Sequence, residues 1–252
     1  MSKISKYRFN LFKPNIIMEV EGVIFDLSNV LISDPFDKVM ELKGKEFQNI
    51  LEKTNTPIRR DELIKAWSDA NKSVDYAFIS HFYQETPIII KALTNLKLSK
   101  EKAEELAFQL LPAYRDGLRI VIKNDKIGSE AKEVLDFLKS KNKKLAILSC
   151  ENANAVRTMI KWAGLDKYFD KIIISEETGI ETNSLTAFRY VLNSLGTRVS
   201  GTVYVGLKKE IEMAKMAGLK TIMITNKKQE FKVENKPDFI ISKISEIKNI
   251  IS

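Results

Sequence analysis

The sequence is poor in metal-binding and cross-linking side chains, with one cysteine, Cys150, and one histidine, His81, among 252 residues. One cysteine excludes a disulfide framework and a Cys-based zinc site, and one histidine argues against a His cluster. The chain also lacks long apolar runs. Stretches such as Pro87 to Ile90 are far shorter than the roughly 20 apolar residues of a helix that spans a bilayer. No charged-then-apolar leader opens the chain, so we expect a cytoplasmic protein with no membrane segment.

What the chain has in excess is positive charge, with 41 Lys and Arg against 33 Asp and Glu. Residues 33–125 carry 15 basic and 15 acidic side chains, whereas residues 126–252 carry 22 basic and 15 acidic ones. A basic balance is compatible with nucleic acid, a small anionic ligand or an acidic partner, and by itself selects none of them. The lysine-rich runs lack the interleaved aromatics of single-strand binding, so nucleic acid is the partner we expect least.

The second half of the chain alternates short apolar runs with amphipathic stretches of about ten residues. This alternation is typical of βα units, which build a parallel sheet covered by helices. Gly164, Gly196 and Gly218 each follow a helical stretch, where a left-handed helix cap favours glycine. The predicted strands are Lys144 to Leu148, Lys171 to Ser175, Gly201 to Val205, Lys220 to Thr225 and Asp238 to Ile241.

One further apolar strand, Val20 to Phe25, is separated from the others by a stretch that is helical in pattern throughout. We predict an α/β protein with a Rossmann-like three-layer parallel-sheet core, formed by residues 16–33 and 123–252. An all-helical cap, residues 34–122, is inserted after the first strand. Residues 1–15 are polar and basic and are predicted to form an N-terminal arm.

This order of elements, together with four short motifs, resembles the haloacid dehalogenase-like superfamily of hydrolases. The resemblance runs from about Val20 to Ile250, and four matches in the family's order are far more specific than any one motif. The motifs are Val23–Leu31, an apolar strand that ends at Asp26; Leu145–Ser149; Phe169–Gly179; and Val203–Gly206, followed by Ala214–Gly218.

The resemblance implies hydrolysis in two steps at the carboxyl end of the sheet. Asp26 corresponds to the nucleophile that forms an aspartyl ester or aspartyl phosphate, and Ser149 to the hydroxyl that holds a phosphoryl oxygen. The family's phosphatases add a second acid two residues after the nucleophile, a lysine in the third motif and a magnesium-binding acid in the fourth. Asp26 and Ser149 are therefore the predicted catalytic residues.

The remaining expected groups are replaced in this chain. Ser28 stands in place of the second acid and cannot act as a general acid near neutral pH. Thr182 stands in place of the lysine, and Leu207 in place of the magnesium-binding acid. Glu210 is the nearest surviving acid and the only candidate ligand, at the wrong spacing. We therefore predict no metal site apart from Glu210 as a weak candidate ligand, and no cofactor other than magnesium as the open alternative. We expect ordinary magnesium-dependent phosphatase activity to be lost.

Five residues beside the two catalytic ones are predicted to line the ligand site: Ser28, Asn29, Cys150, Lys208 and Lys209. Cys150 is expected to be a small, buried or half-buried side chain without thiol reactivity. Lys208 and Lys209 begin a predicted helix, where the helix dipole disfavours a cation. One of them is therefore predicted to replace the charge of the metal, although both side chains pointing into solvent is the simpler alternative.

Three functions remain open at this point. The first is a hydrolase of small phosphorylated or halogenated molecules that uses Asp26 and Ser149. In the second, Asp26 is a relic carboxylate and the protein binds a phosphorylated ligand or a protein partner without turnover. The third is a nucleic-acid-associated protein that uses the basic surface of the sheet domain.

Overall fold

A computed structural model describes residues 17–73, 85–150, 153–225 and 236–252. Its strands are β1 (Gly22–Phe25), β2 (Lys144–Ser149), β3 (Lys171–Ile174), β4 (Thr202–Gly206), β5 (Lys220–Ile224) and β6 (Phe239–Ile241). Its helices are α1 (Phe36–Lys53), α2 (Arg60–Ser73), α3 (Glu85–Asn95), α4 (Lys100–Lys123), α5 (Lys126–Ser140), α6 (Ala153–Ala163), α7 (Ser175–Thr178), α8 (Leu185–Leu195) and α9 (Lys208–Met216). No helix in these ranges is long and apolar enough to cross a membrane.

The six strands form one parallel sheet in the order β3-β2-β1-β4-β5-β6. All residues of β1 and β4 are buried, as expected for central strands of a sheet covered on both faces. The chain leaves β1 for one side of the sheet and later returns to β4 on the other side, so the switch point lies between these two strands. The predicted α/β Rossmann-like core with a helical insertion is confirmed.

Helix ends in the sheet follow the local signals of the sequence. The Ser184 side chain accepts a hydrogen bond from the Ala187 N–H at 3.2 Å and so caps the start of α8. Gly164, Gly196 and Gly218 have φ values of 64°, 62° and 84°, which confirms the predicted left-handed turns after three helices.

The chain divides into two compact units. The sheet unit falls within Met1–Ser33, Lys126–Ala153 and Gly164–Ser252, and the helical unit comprises Asp34–Asp125 and Asn154–Ala163. The helical unit therefore takes in residues 123–125 and most of α6, which the sequence pattern assigned to the sheet domain. Trp162 of α6 packs against the core of the helical unit, which explains this grouping. The predicted arm at residues 1–15 lies outside the described residues.

The core of the helical unit is built around three aromatic rings. Trp67 is fully buried, with ring centroids 5.7 Å from Phe47 and 5.1 Å from Tyr114. Helices α1 and α4 approach closely at Gly117, where a Cβ atom would lie 2.9 Å from Val39 Cγ1. Beside this contact the Lys43 ammonium donates to Asp116 at 2.8 Å, so charge pairing and close packing hold the same pair of helices.

The amino-terminal edge of the sheet is held by three acids, each directly before a strand. Each one accepts a hydrogen bond from a backbone N–H of a neighbouring segment and is also paired with a basic side chain. The three sets are Glu21 with the Arg198 N–H and guanidinium, Asp170 with the Leu145 N–H and Lys139, and Asp238 with the Thr221 N–H and Lys215. These carboxylates are structural, which separates them from the acids at the opposite edge.

Asp170 is expected to make the stability of the sheet unit depend on pH. Burial raises the pKa of Asp170, but its hydrogen bonds with Lys139 and the Leu145 N–H outweigh this, and the pKa is lowered overall. A lowered pKa in the folded state means that the stabilisation is present above the usual pKa of aspartate and is lost as the pH falls through the folded value. Asp170→Asn should therefore reduce the free energy of unfolding at pH 7 and have a smaller effect at pH 3.

Urea unfolding of both proteins at the two pH values measures this difference. We expect at most about 1 kcal/mol at pH 7, because the Asp170 side chain is 43% exposed and water screens its charge. The matched control is Asp166→Asn, at an exposed carboxylate of the same unit, which should change stability at neither pH. A loss of equal size at pH 7 and pH 3 would show that the Asp170 charge is not responsible.

Candidate functional site

The candidate site lies where three adjacent central strands end, at the carboxyl edge of the sheet unit. Phe25, the last residue of β1, pairs with Ile147 of β2 on one side and Val205 of β4 on the other. One step further along the chain, Asp26 is level with Gly206, and its N–H still donates to the Val205 carbonyl at 3.0 Å. The sheet register thus brings the residues after β1, β2 and β4 to one edge, beside the switch point where open α/β sheets bind ligands.

Asp26 is half-buried and is oriented by the backbone that follows it. Its Oδ1 atom accepts a hydrogen bond from the Leu27 N–H at 2.7 Å. The Leu27 carbonyl then accepts from the Leu31 N–H at 2.9 Å and closes a tight loop. Leu27 and Leu31 are fully buried and anchor this loop, so Ser28 is held half-buried and Asn29, with φ of 59°, is exposed.

Ser149 and Cys150 follow the same edge on β2. Ser149 pairs with Ile174 in the sheet and is only 2% exposed. Cys150 lies one residue beyond this last pairing, and its thiol is exposed. The expectation of a buried or half-buried cysteine is therefore wrong, because the chain leaves the sheet at this residue.

The loop after β4 carries Leu207, which is half-buried, and leads directly into α9. Lys208 is the first residue of that helix and is exposed, and Glu210 is half-buried in its first turn. The Lys209 side chain lies outside what the structure describes. Replacement of the metal charge by one of these lysines stays a prediction.

The side chains at this edge do not fit magnesium. Among the described residues, no group of three or more His, Cys, Asp or Glu side chains is placed to hold a metal ion. Leu207, where the resemblance places the magnesium-binding acid, has a hydrocarbon side chain that cannot coordinate a cation. No catalytic step is therefore assigned to a metal here.

The segment after β3 holds the start of α6 in place. Glu176 of α7 accepts a hydrogen bond from the Ala153 N–H at 2.6 Å, at the amino terminus of α6. Thr182, where the resemblance places a lysine, is 7% exposed and brings no charge. Sequence reasoning missed Glu176, because its acceptor role depends on β2 and β3 being neighbours in the sheet.

A second residue that sequence reasoning missed is Tyr204, in the middle of β4. Its side chain is fully buried, and its hydroxyl has no hydrogen-bond partner in the described part of the chain. Burial raises the pKa of Tyr204 well above its usual value, and the charges of Asp26, Glu210 and Cys150 raise it further. The only sequence signal was a phenol within a largely apolar strand, inside the motif Val203–Gly206.

Comparison with known proteins agrees with this geometry. Residues 23–224 match the family model for haloacid dehalogenase-like hydrolases. (S)-2-haloacid dehalogenase 2 of Pseudomonas sp. (strain CBS-3) is 22% identical over 238 residues, which cover 94% of this chain and 97% of that enzyme. Glyceraldehyde 3-phosphate phosphatase of Methanocaldococcus jannaschii is 33% identical over 91 residues, 35% of this chain and 40% of the phosphatase.

The fold is also found among solved structures. The crystal structure of 2-haloacid dehalogenase from Pseudomonas syringae pv. Tomato superposes with a TM-score of 0.60 at 21% identity, over 90% of this chain and 96% of that one. At this level of identity the superposition shows a shared fold, and the reaction has to be argued from the residues of the site.

Proposed function

Because the chain belongs to the haloacid dehalogenase-like hydrolase family, we propose that it hydrolyses a small anionic molecule with Asp26 as the nucleophile and without magnesium. The observation that carries this proposal is the register of β2, β1 and β4, which brings Asp26 and Ser149 to one edge of the sheet. Leu207 beside them offers no metal ligand. The proposed reaction thus uses the covalent aspartyl intermediate of the family but proceeds without a magnesium ion.

In the proposed reaction, a carboxylate oxygen of Asp26 attacks the carbon or phosphorus atom of the substrate, and the leaving group departs with the bonding electron pair. Water then attacks the aspartyl ester or aspartyl phosphate, which releases the hydroxylated product, restores the carboxylate and gives one proton to solvent. The Leu27 N–H bond orients the carboxylate before the attack. The Ser149 hydroxyl donates to an oxygen of the substrate, and the Lys208 ammonium group attracts its negative charge.

Ser28 restricts which substrates this site can use. The leaving group must depart without a proton from the protein, because a serine hydroxyl does not donate one near neutral pH. Halide ions and leaving groups of low pKa meet this requirement, whereas the alkoxide of a sugar or glycerol phosphate does not. We therefore propose a 2-haloacid or an activated phosphate, such as an acyl phosphate, as the substrate class.

A second candidate function is ligand binding without turnover. It is favoured by Thr182 and Leu207, which remove the two groups that neutralise charge in the family's phosphatases. In this case the site holds a phosphorylated molecule at the edge of the sheet, and Asp26 serves only to order the loop after β1.

A substrate panel with and without EDTA tests the proposed hydrolase. We expect turnover of 2-chloropropionate, acetyl phosphate or p-nitrophenyl phosphate, and none of glycerol phosphate. EDTA should change the rate by less than about twofold, because no step uses a metal. Turnover that EDTA abolishes and magnesium restores would refute the metal-independent reaction. A rise in melting temperature with inorganic phosphate, without turnover of any compound, would support the second candidate instead.

A further inference from the structure

Tyr204 and Asp26 lie on the same face of the sheet. Ile24, Leu148 and Tyr204 all pack into the same core cluster, against helices α8 and α9. Side chains alternate between the two faces of a sheet, so the next position on this face is Asp26 after Ile24 and Gly206 after Tyr204. Asp26 and the phenol of Tyr204 therefore belong to one face, on adjacent strands.

The phenol reaches along β4 to the edge where Asp26 lies. A Cβ atom at Gly206 would be 2.5 Å from Tyr204 Cε1 and 2.7 Å from its hydroxyl oxygen, so the ring extends across the glycine. Since Gly206 is level with Asp26, the hydroxyl of Tyr204 lies at the same edge of the sheet as Asp26. The Phe188 ring packs nearly perpendicular to the Tyr204 ring, with the two ring centroids 5.2 Å apart, and this contact restricts the direction of the phenol.

A buried hydroxyl in this place needs an explanation. Burial of a hydroxyl without a hydrogen bond is unfavourable, and a phenylalanine would fill the same space without that cost. No described residue accepts from the Tyr204 hydroxyl. Its raised pKa keeps it protonated, so near neutral pH it is a neutral donor beside two carboxylates, Asp26 and Glu210.

We propose that Tyr204 is a positioning residue for Asp26: its hydroxyl donates a hydrogen bond to the carboxylate when that side chain turns to its ligand. A carboxylate has about four lone-pair sites and accepts several donors at once, so Asp26 can accept from this hydroxyl as well as from the Leu27 N–H. Asp26 is favoured over Glu210 because it is level with Gly206 and its charge acts more strongly on the phenol. The hydrogen bond takes over part of the charge stabilisation that a cation provides elsewhere in the family.

This role in turnover rests on the proposed function, and the Tyr204→Phe variant tests it. We expect kcat to fall about tenfold, the worth of one hydrogen bond to a charged group, with KM changed less than about twofold. The melting temperature should not fall, because the lost hydroxyl has no partner in the described residues. Tyr190→Phe, which removes an exposed phenol from α8, is the matched control and should behave as the wild type.

An unchanged kcat would overturn the proposal, as would a loss of kcat that is matched by a loss of stability. A second measurement covers the case in which the wild type turns over no substrate. In protein labelled with 13C at tyrosine Cζ, the Tyr204 resonance is assigned from Tyr204→Phe. It should move in Asp26→Asn and stay in place in Asp166→Asn. If the chemical shift of Tyr204 does not change in Asp26→Asn, the proposal is overturned. If it changes, the proposal is supported even if the proposed hydrolysis fails.

Discussion

The Asp26→Asn variant should lose at least about 1,000-fold in turnover, the scale seen when a catalytic nucleophile is removed. The change is isosteric, and the amide oxygen can still accept from the Leu27 N–H, so the loop after β1 should keep its shape. What disappears is the negative charge and the nucleophilic oxygen that forms the ester. The measurement is the initial rate with the best substrate of the panel, alongside the melting temperature.

The matched control is Asp166→Asn, which removes an exposed carboxylate of the same unit far from the strand ends of the site. It should retain full turnover, and both variants should melt within a few degrees of the wild type. Full turnover in the Asp26→Asn variant would reject the proposed nucleophile. A different nucleophile would then have to be sought, and the roles proposed for Ser149 and the lysines would have to be tested without Asp26.

The Trp67→Ala variant should destabilise the helical unit by about 3–5 kcal/mol, as large-to-small substitutions of buried aromatics do. Trp67 is fully buried between Phe47 and Tyr114, so its removal leaves a cavity bounded by α1 and α4. Urea unfolding measures the loss. The chain has two tryptophans, and the second, Trp162, packs against the core of the same unit, so its fluorescence still reports on that unit in the variant.

Phe108→Ala is the matched control, since it truncates an aromatic of α4 that is 61% exposed. A change within about 0.5 kcal/mol is expected there. Trp67→Phe should cost less than Trp67→Ala, because the indole Nε1 atom has no hydrogen-bond partner in the described part of the chain. Equal losses for Trp67→Ala and Phe108→Ala would show that the aromatic cluster is not the core of this unit.

Local patterns predicted the sheet well. Buried parallel strands are apolar along most of their length, so runs such as Leu145 to Leu148 are visible without any tertiary information. Gly164 and Gly196 marked helix ends because a left-handed φ is cheap only for glycine. Cys150 was assigned wrongly, because the end of a strand depends on where its neighbour stops pairing, and this cannot be read from one segment.

The residues that meet at the candidate site could be predicted from the sequence only in part for the same reason. Asp26 and Ser149 follow apolar strands and match family motifs, so the sequence pointed to them directly. Glu176 and Tyr204 act on residues far away in the chain, across strands that become neighbours only in the folded sheet. Their types and local patterns are those of ordinary surface and core residues, and no spacing rule separates them.

The sequence by itself determined the type and order of the elements and the motif residues at the strand ends, because periodicity and glycine placement are local properties of the chain. It also shows Ser28, Thr182 and Leu207 at the positions where the resemblance places the second acid, the lysine and the magnesium-binding acid. Only the tertiary structure decided which groups meet. The register of β1 against β4 sets the phenol of Tyr204 beside Asp26. Strand pairing is a long-range contact whose register arises from the packing of the whole sheet.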